Sequence, residues 1–262
     1  MLRLEKWGGQ GMNEEQILLK RMQDLAERSY RTGQFTFTGF LSQPELSTFL
    51  KASVQFKQYG ISISGGWQEA ERRIIRFGSV EELGYESEFP ICCLLVQPVL
   101  RKFADTLTHR DYLGALMNLG IERSLIGDIL IVEQEARIFC MEHIAGFVIE
   151  SLDKIKHTSV KCSITKEEVQ NVEDRSIQEN ETVASERLDA ILSKIFKISR
   201  TESLELFRQK KIFVNSIQCE NNSYSPKEQD KISVRGFGKI IYLGKSHETK
   251  KGKVNIKYIR FR

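Results

Sequence analysis

The chain has 262 residues, with 39 Lys+Arg against 35 Asp+Glu for a formal net charge of +4, and is 40% hydrophobic and 28% charged. Four Pro and 18 Gly exclude collagen-like and low-complexity architectures, and the longest apolar run, Ile91 to Val96, falls far short of the roughly 20 residues a membrane-spanning helix needs. Five cysteines (92, 93, 140, 162 and 219) without paired spacing fit buried thiols in a reducing cytoplasm better than a disulfide framework.

No apolar signal-peptide core opens the chain, and Met12, after Gly8-Gly9-Gln10-Gly11, is expected to be the biological start. Asn13 to Tyr30 reads as a helix: Asn13 can cap it, Glu14 and Glu15 suit its positive end, and Ile17, Leu18, Met22 and Leu25 give an apolar face. Ser42-Gln43-Pro44-Glu45 is a capping-box start for a second helix carrying Leu46, Phe49 and Leu50. Gln55 to Ser64 alternates as a strand and Arg73 to Phe77 as another, so residues 12–80 are expected to form a small mixed α/β domain.

Residues 84–164 follow a clearer plan. Ile91 to Gln97 is continuously apolar, as a strand buried on both faces should be. Thr108 to Leu119 has Leu113, Leu116 and Met117 at helical spacing, and Ile129–Val132 and Arg137–Met141 are short strands. Glu142 to Leu152 is a helix with Ile144, Phe147, Val148 and Leu152 inward, and Thr158–Ile164 alternates. The β-α-β-β-α-β order is the ferredoxin-like arrangement shared by RNA-recognition folds, within an α+β chain. Of the aromatics such folds place on their central strands, only Phe139 is present, so this domain is expected to scaffold or dock protein. Residues 165–184 are polar, acidic and poor in apolar anchors, the composition of a linker.

The C-terminal domain, expected over 185–262, differs in charge. Residues 181–262 hold 18 Lys+Arg and 9 Asp+Glu, a net of +9, which leaves −5 on the remainder. A basic third on an acidic body points to a polyanionic partner. Leu188, Ile191, Leu192 and Ile195 form one helical stripe, and Ser199-Arg200-Thr201-Glu202 is a capping box opening a second helix whose free amides and positive end suit a phosphate. Short strands follow, two of them joined by Arg235-Gly236-Phe237-Gly238-Lys239. The candidate RNA-binding residues are Arg187, Lys194, Lys197, Ser199, Arg200, Arg208, Lys210, Lys211, Arg235 and Lys239, about half of which are expected to touch RNA. For Arg187 and Asp189 the competing reading is a structural pair, and for Glu202 a cap.

Arg187-Leu188-Asp189, Ile198-Ser199-Arg200, Ile212-Phe213-Val214-Asn215, Asp230-Lys231-Ile232-Ser233-Val234 and Arg235-Gly236-Phe237-Gly238 occur in order. Together they resemble the S-four domain, the RNA-binding domain of small-subunit ribosomal protein four. The resemblance implies a two-helix face presented to structured RNA. The family usually has Gly where Lys210-Lys211 precedes the Val-Asn strand, and Gly-Asp where Gln229-Asp230 stands. Both departures fall in turns and bear on backbone conformation more than on RNA chemistry.

Further upstream, Ser64-Gly65-Gly66-Trp67 with Ala70-Glu71-Arg72, the stretch His109 to Arg123, and Ile126-Gly127-Asp128-Ile129 resemble the YlmH-type bacterial family, which pairs a ferredoxin-like domain with a C-terminal S-four domain. This resemblance spans nearly the whole chain. It implies a cytoplasmic, ribosome-associated protein that binds large-subunit rRNA and tRNA and helps rescue stalled translation, with a further link to cell division by name. A monomer is expected.

Enzyme motifs are incomplete. His109-Arg110-Asp111 looks like a kinase catalytic loop, but Asn118 lies too far along and no Gly-rich loop is present, so the triplet is read as a helix start. Arg187-Leu188-Asp189 is similar to the pseudouridine-synthase triplet, yet too little chain follows for a synthase domain. Lys197 to Thr201 faintly resembles the class I tRNA synthetase loop without its partners, and a methyltransferase loop is missing. Cys140 and His143 are spaced like metal ligands but have no second pair. The expectation is an RNA-binding protein with no catalytic residue, metal or cofactor. The rivals are an RNA-modifying enzyme with its site in the middle domain and a membrane-proximal division factor.

Overall fold

A computed structural model describes residues 13–167, 176–248 and 252–261. The expected start at Met12 and the middle of the expected linker, 168–175, lie outside the described residues.

Helix α1 (Glu14–Thr32) begins as expected: the Asn13 side chain accepts from Gln16 N at 2.8 Å and the Gln16 side chain accepts from Asn13 N at 3.0 Å. Met22 and Ala26 on its inner face pack against the next elements. After β1 (Thr36–Phe37), helix α2 (Gln43–Ala52) is capped by Ser42 and Glu45. The strand expected over Gln55–Ser64 forms only in part, because Ser53–Tyr59 winds as a 3-10 helix before β2 (Ile61–Ser64). Phe56 accounts for the difference. Its ring is buried against Phe49 and Phe77, with centroids 5.2 and 5.8 Å away, which holds the segment over α2. Strand β3 (Ile74–Phe77) lies between β1 and β2 in an antiparallel sheet, and α3 (Val80–Leu83) is a single turn.

The middle of the chain runs β4 (Ile91–Pro98), α4 (His109–Asn118), β5 (Ile126–Val132), β6 (Glu135–Met141), α5 (Glu142–Ser151), β7 (Lys154–Ile155) and β8 (Thr158–Thr165). The sheet order is β5-β6-β4-β8-β7 with antiparallel neighbours, giving the β-α-β-β-α-β succession plus a short hairpin strand. His109-Arg110-Asp111 is the first turn of α4. Asp111 accepts from Thr108 N at 2.8 Å and pairs with Lys156 at 2.9 Å, and these donors hold its carboxyl at about 2. Leu94, Val96, Ile138 and Cys140 on one sheet face meet Tyr112, Leu116, Ile144 and Val148 from the helices. Phe147, expected inward, is 50% exposed. At about 100° per residue it falls outside the stripe made by Ile144, Ala145, Val148 and Leu152.

The last sheet has the order β11-β10-β12-β13-β14-β9. Its elements are β9 (Ser176–Val183), α6 (Leu188–Ile195), α7 (Arg200–Arg208), β10 (Ile212–Val214), β11 (Ile217–Gln218), β12 (Lys231–Val234), β13 (Gly238–Glu248) and β14 (Val254–Phe261). The linker expected over 165–184 is therefore corrected at its C-terminal end. Residues 176–183 pair with β14 from Ser176 opposite Phe261 to Val183 opposite Val254, and the Tyr258 hydroxyl donates to Glu179 at 2.6 Å. Polar composition suits a sheet edge as well as a linker. Leu188, Ile191, Leu192 and Ile195 form the expected buried stripe of α6 against this sheet.

The loop Ser64–Arg73 joins all three sheets. Asp128 at the start of β5 accepts from Trp67 Nε1 at 3.0 Å, Glu71 N at 2.8 Å and Arg72 N at 3.0 Å. Arg72 donates in turn to the carbonyls of Ile126, Phe40 and Arg123. Trp67 stacks on Phe139, with centroids 6.4 Å apart and planes at 15°. Gly66 adopts φ +87 there, and a Cβ on it would stand 2.6 Å from the Phe139 ring. Towards the C-terminal sheet, Glu69 pairs with both Lys231 and Lys239, and Ser47 Oγ accepts from Gln218 N at 2.9 Å.

Candidate nucleic-acid interface

The centre of the candidate interface is a carboxylate. Asp189, in the first turn of α6, is 1% exposed. It accepts from Arg187 Nε and Nη2, both at 3.1 Å, and from Arg200 Nη2 at 3.4 Å. Burial pushes its pKa up, but the two guanidinium groups outweigh that and hold it below the usual carboxylate range. Both arginines still reach solvent, with side chains 41% and 57% exposed. The structural-pair reading of Arg187 and Asp189 thus holds geometrically and carries a consequence: Asp189 fixes two forked cations at the surface where the helices meet.

Ser199 caps α7. Its hydroxyl accepts from Glu202 N at 3.1 Å, while the Glu202 carboxylate accepts from Ser199 N at 2.8 Å. This capping box takes up two of the amides at the helix start, Ser199 N and Glu202 N, and sets a carboxylate beside the expected phosphate site. Lys194 and Lys197 are exposed, Lys197 at φ +54 in the turn between the helices. Arg208 and Lys210 are exposed at the far end of α7, beside a shallow cavity also lined by Leu204, Phe207, Glu220 and Asn222. Arg208 pairs loosely with Glu205 at 3.5 Å. Arg235 N donates to Lys211 O at 3.0 Å, so the Arg235-Gly236-Phe237-Gly238 turn lies against the start of β10.

Lys239 stands apart from the other candidates. Its side chain is only 12% exposed, bonded to Glu69 and 5.0 Å from the centre of the Phe261 ring. It faces the N-terminal part of the chain and is largely covered there. Its partner is 170 residues away in sequence, out of reach of any local pattern.

Two residues escaped the sequence reading. The Arg260 guanidinium lies 5.5 Å from the centre of the Phe196 ring, and Arg260 Nη1 is 3.5 Å from Ile195 O at the end of α6. Phe237 is 41% exposed and packs on Phe196 with centroids 5.8 Å apart. Strand parity was the available signal for Arg260, because Val254, Ile256 and Tyr258 point inward and Arg260 shares their side. Phe237 stood inside the quoted motif, flanked by glycines that leave its ring uncovered.

Among the described residues, no group of three or more His, Cys, Asp or Glu gathers as a metal site, and no helix is long and apolar enough to cross a membrane. Cys140 is buried with its sulfur 3.8 Å from that of Cys92 on the neighbouring strand.

Residues 85–170, the span of the β4–β8 sheet, match a family model described as "Putative RNA-binding domain in YlmH". Over 242 residues, 90% of each chain, the sequence is 28% identical to the ribosome-associated protein quality control protein P2 of Bacillus subtilis (strain 168). A solved structure, the cell division protein ylmH from Streptococcus pneumoniae, is 23% identical, with a TM-score of 0.48, over 61% of this chain and 96% of its own. The three N-terminal RNA-binding domains of the yeast splicing factor Prp24 align at 14% identity with a TM-score of 0.29, over 87% of each chain. The family model and the Bacillus relative show the YlmH-type resemblance that the motifs around Trp67, His109 and Asp128 carry.

Proposed function

We propose that this chain is a non-enzymatic RNA-binding protein that acts on ribosomal particles in the cytoplasm, gripping large-subunit rRNA and tRNA in the rescue or quality control of stalled translation. The grip is assigned to an S-four-like domain over residues 185–262, carried on an N-terminal mixed domain (12–80) and a middle domain (84–164). The chain works as a monomer. The observation that carries this reading is the Arg187–Asp189–Arg200 cluster, in which a buried carboxylate aims two guanidinium groups outward from the helix junction. Lys194, Lys197, Arg208, Lys210, Lys211 and Arg235 extend the basic surface, with Arg260 and Phe237 added from the structure. Guanidinium forks suit phosphates, and the net charge of +9 over 181–262 draws RNA in from a distance. The matched RNA-binding family model and the name of the Bacillus relative support the same direction.

The test is sedimentation of extracts from cells with stalled translation, followed by detection of the chain across the gradient. Co-sedimentation with large subunits, lost in the Arg187→Glu/Arg200→Glu double variant, is the expected result. Absence of the intact chain from every ribosomal fraction overturns the proposal. Binding of purified chain to tRNA should also weaken steeply with salt, because each phosphate contact releases condensed counterions.

A further inference from the structure

RNA-recognition folds usually stack bases on aromatics of the two central strands. That face is closed here: Phe139 is 3% exposed beneath Trp67, in a cluster with Phe40 and Ile74. Yet the same part of the chain carries the RNA-binding family match. An uncovered surface lies instead at the loop that leaves β4. Val99, Leu100 and Phe103 are 56%, 65% and 76% exposed, three large apolar side chains within five residues. Such a concentration marks an interaction site.

The loop is held in place. Val99 N donates to Ser159 O at 2.9 Å, Phe103 N to Leu100 O at 3.2 Å and Asp105 N to the Thr158 hydroxyl at 2.8 Å. One cation lies beside the ring and others stand on the adjoining chain. Lys102 Nζ lies 5.8 Å from the Phe103 centroid, and exposed Lys161 is in register with Gln97 on the adjoining strand. Two carboxylates adjoin the loop and both are engaged: Glu135 pairs with Arg101 and accepts from Gln97, and Asp105 accepts from His157 N at 3.2 Å. Protein interfaces deplete lysine at their centres, whereas an exposed aromatic among lysines and arginines suits an unpaired base and its phosphates.

We propose that the Val99–Phe103 loop is a single-stranded RNA contact, with Phe103 as the stacking platform and Arg101, Lys102 and Lys161 on the flanking phosphates. This second contact rests on the RNA-binding reading above but uses a different surface.

The experiment photo-crosslinks the full chain to a 4-thiouridine-substituted oligouridine of about ten nucleotides and maps adducts by mass spectrometry. Adducts within residues 99–103 are expected, and Phe103→Ala should weaken oligouridine binding about tenfold with an unchanged melting temperature, because the ring is solvent-exposed. The same tenfold loss should persist in an Arg187→Glu/Arg200→Glu background. Adducts confined to residues 185–262, with Phe103→Ala binding like the parent, overturn the loop contact and leave the C-terminal interface standing. Failure to hold either oligouridine or tRNA overturns both. Binding to phosphatidylglycerol vesicles that Phe103→Ala abolishes, with RNA affinity unmoved, assigns the loop to lipid and also overturns the inference.

Discussion

Asp189 makes a test in which charge and geometry disagree. Replacing it with Asn removes a negative charge from a basic surface, so a purely electrostatic account expects tighter RNA binding. If Arg187 and Arg200 work because Asp189 positions them, Asp189→Asn instead weakens tRNA binding, by about tenfold when two charge-assisted contacts loosen. Fluorescence anisotropy with labelled tRNA separates the two. The turns that depart from the S-four pattern tell a related story. Lys210 and Gln229, standing where the family usually has glycine, adopt φ of +55 and +70. The left-handed backbone at both positions is carried by residues that favour it less than glycine does. Gln229→Gly, which removes no cation, should stabilise the chain by up to about 1 kcal/mol in thermal denaturation.

The elements that were legible in the sequence are those whose signals are local. Capping boxes at Ser42 and Ser199 placed the starts of α2 and α7, apolar spacing marked α4, and the 3.6-residue stripe of α6 named its buried side chains. What stayed hidden depends on distant partners. Residues 53–59 wind as a 3-10 helix because Phe56 packs on Phe49 and Phe77, and alternation alone could not reveal that. Strand β9 reads as polar linker because its pairing energy comes from β14, some eighty residues later. Lys239 looks like an RNA ligand until Glu69 is placed beside it. The hidden strand also makes a prediction. A fragment beginning at residue 185 uncovers the edge of β14, and one beginning at residue 176 keeps it covered. The shorter fragment should melt lower and scatter more light on heating, because an unpaired edge invites association.

Across the whole molecule, the Ser64–Arg73 loop touches all three sheets, and α2 adds a second contact to the C-terminal one through Ser47 and Gln218. The loop's contact with the C-terminal sheet is ionic, through Glu69 with Lys231 and Lys239. Burial pushes the Glu69 pKa up, but bonds to the two lysines outweigh it and leave the group below its ordinary 4.5. A lowered carboxylate pKa contributes stability that is fully present above 4.5 and fades as pH falls below it, when Glu69 takes up a proton. Small-angle scattering should therefore show the radius of gyration rising as pH drops below that value, and Glu69→Gln should show the expansion already at pH 7. An Asp128→Ala variant acts on the other seam. It strands the indole and amide donors of Trp67, Glu71 and Arg72, at a cost of about 1–3 kcal/mol by thermal unfolding.

That seam also contains its own optical reporter. The chain has two tryptophans, so Trp7→Phe leaves Trp67 as the single indole. Pressed on Phe139 and bonded to Asp128, it emits from a partly dry, hydrogen-bonded setting. Separation of the N-terminal and middle sheets wets the ring and moves its emission to longer wavelength, while release of the C-terminal sheet at Glu69 leaves the colour unaltered. One emission spectrum thus tells which of the two seams has opened.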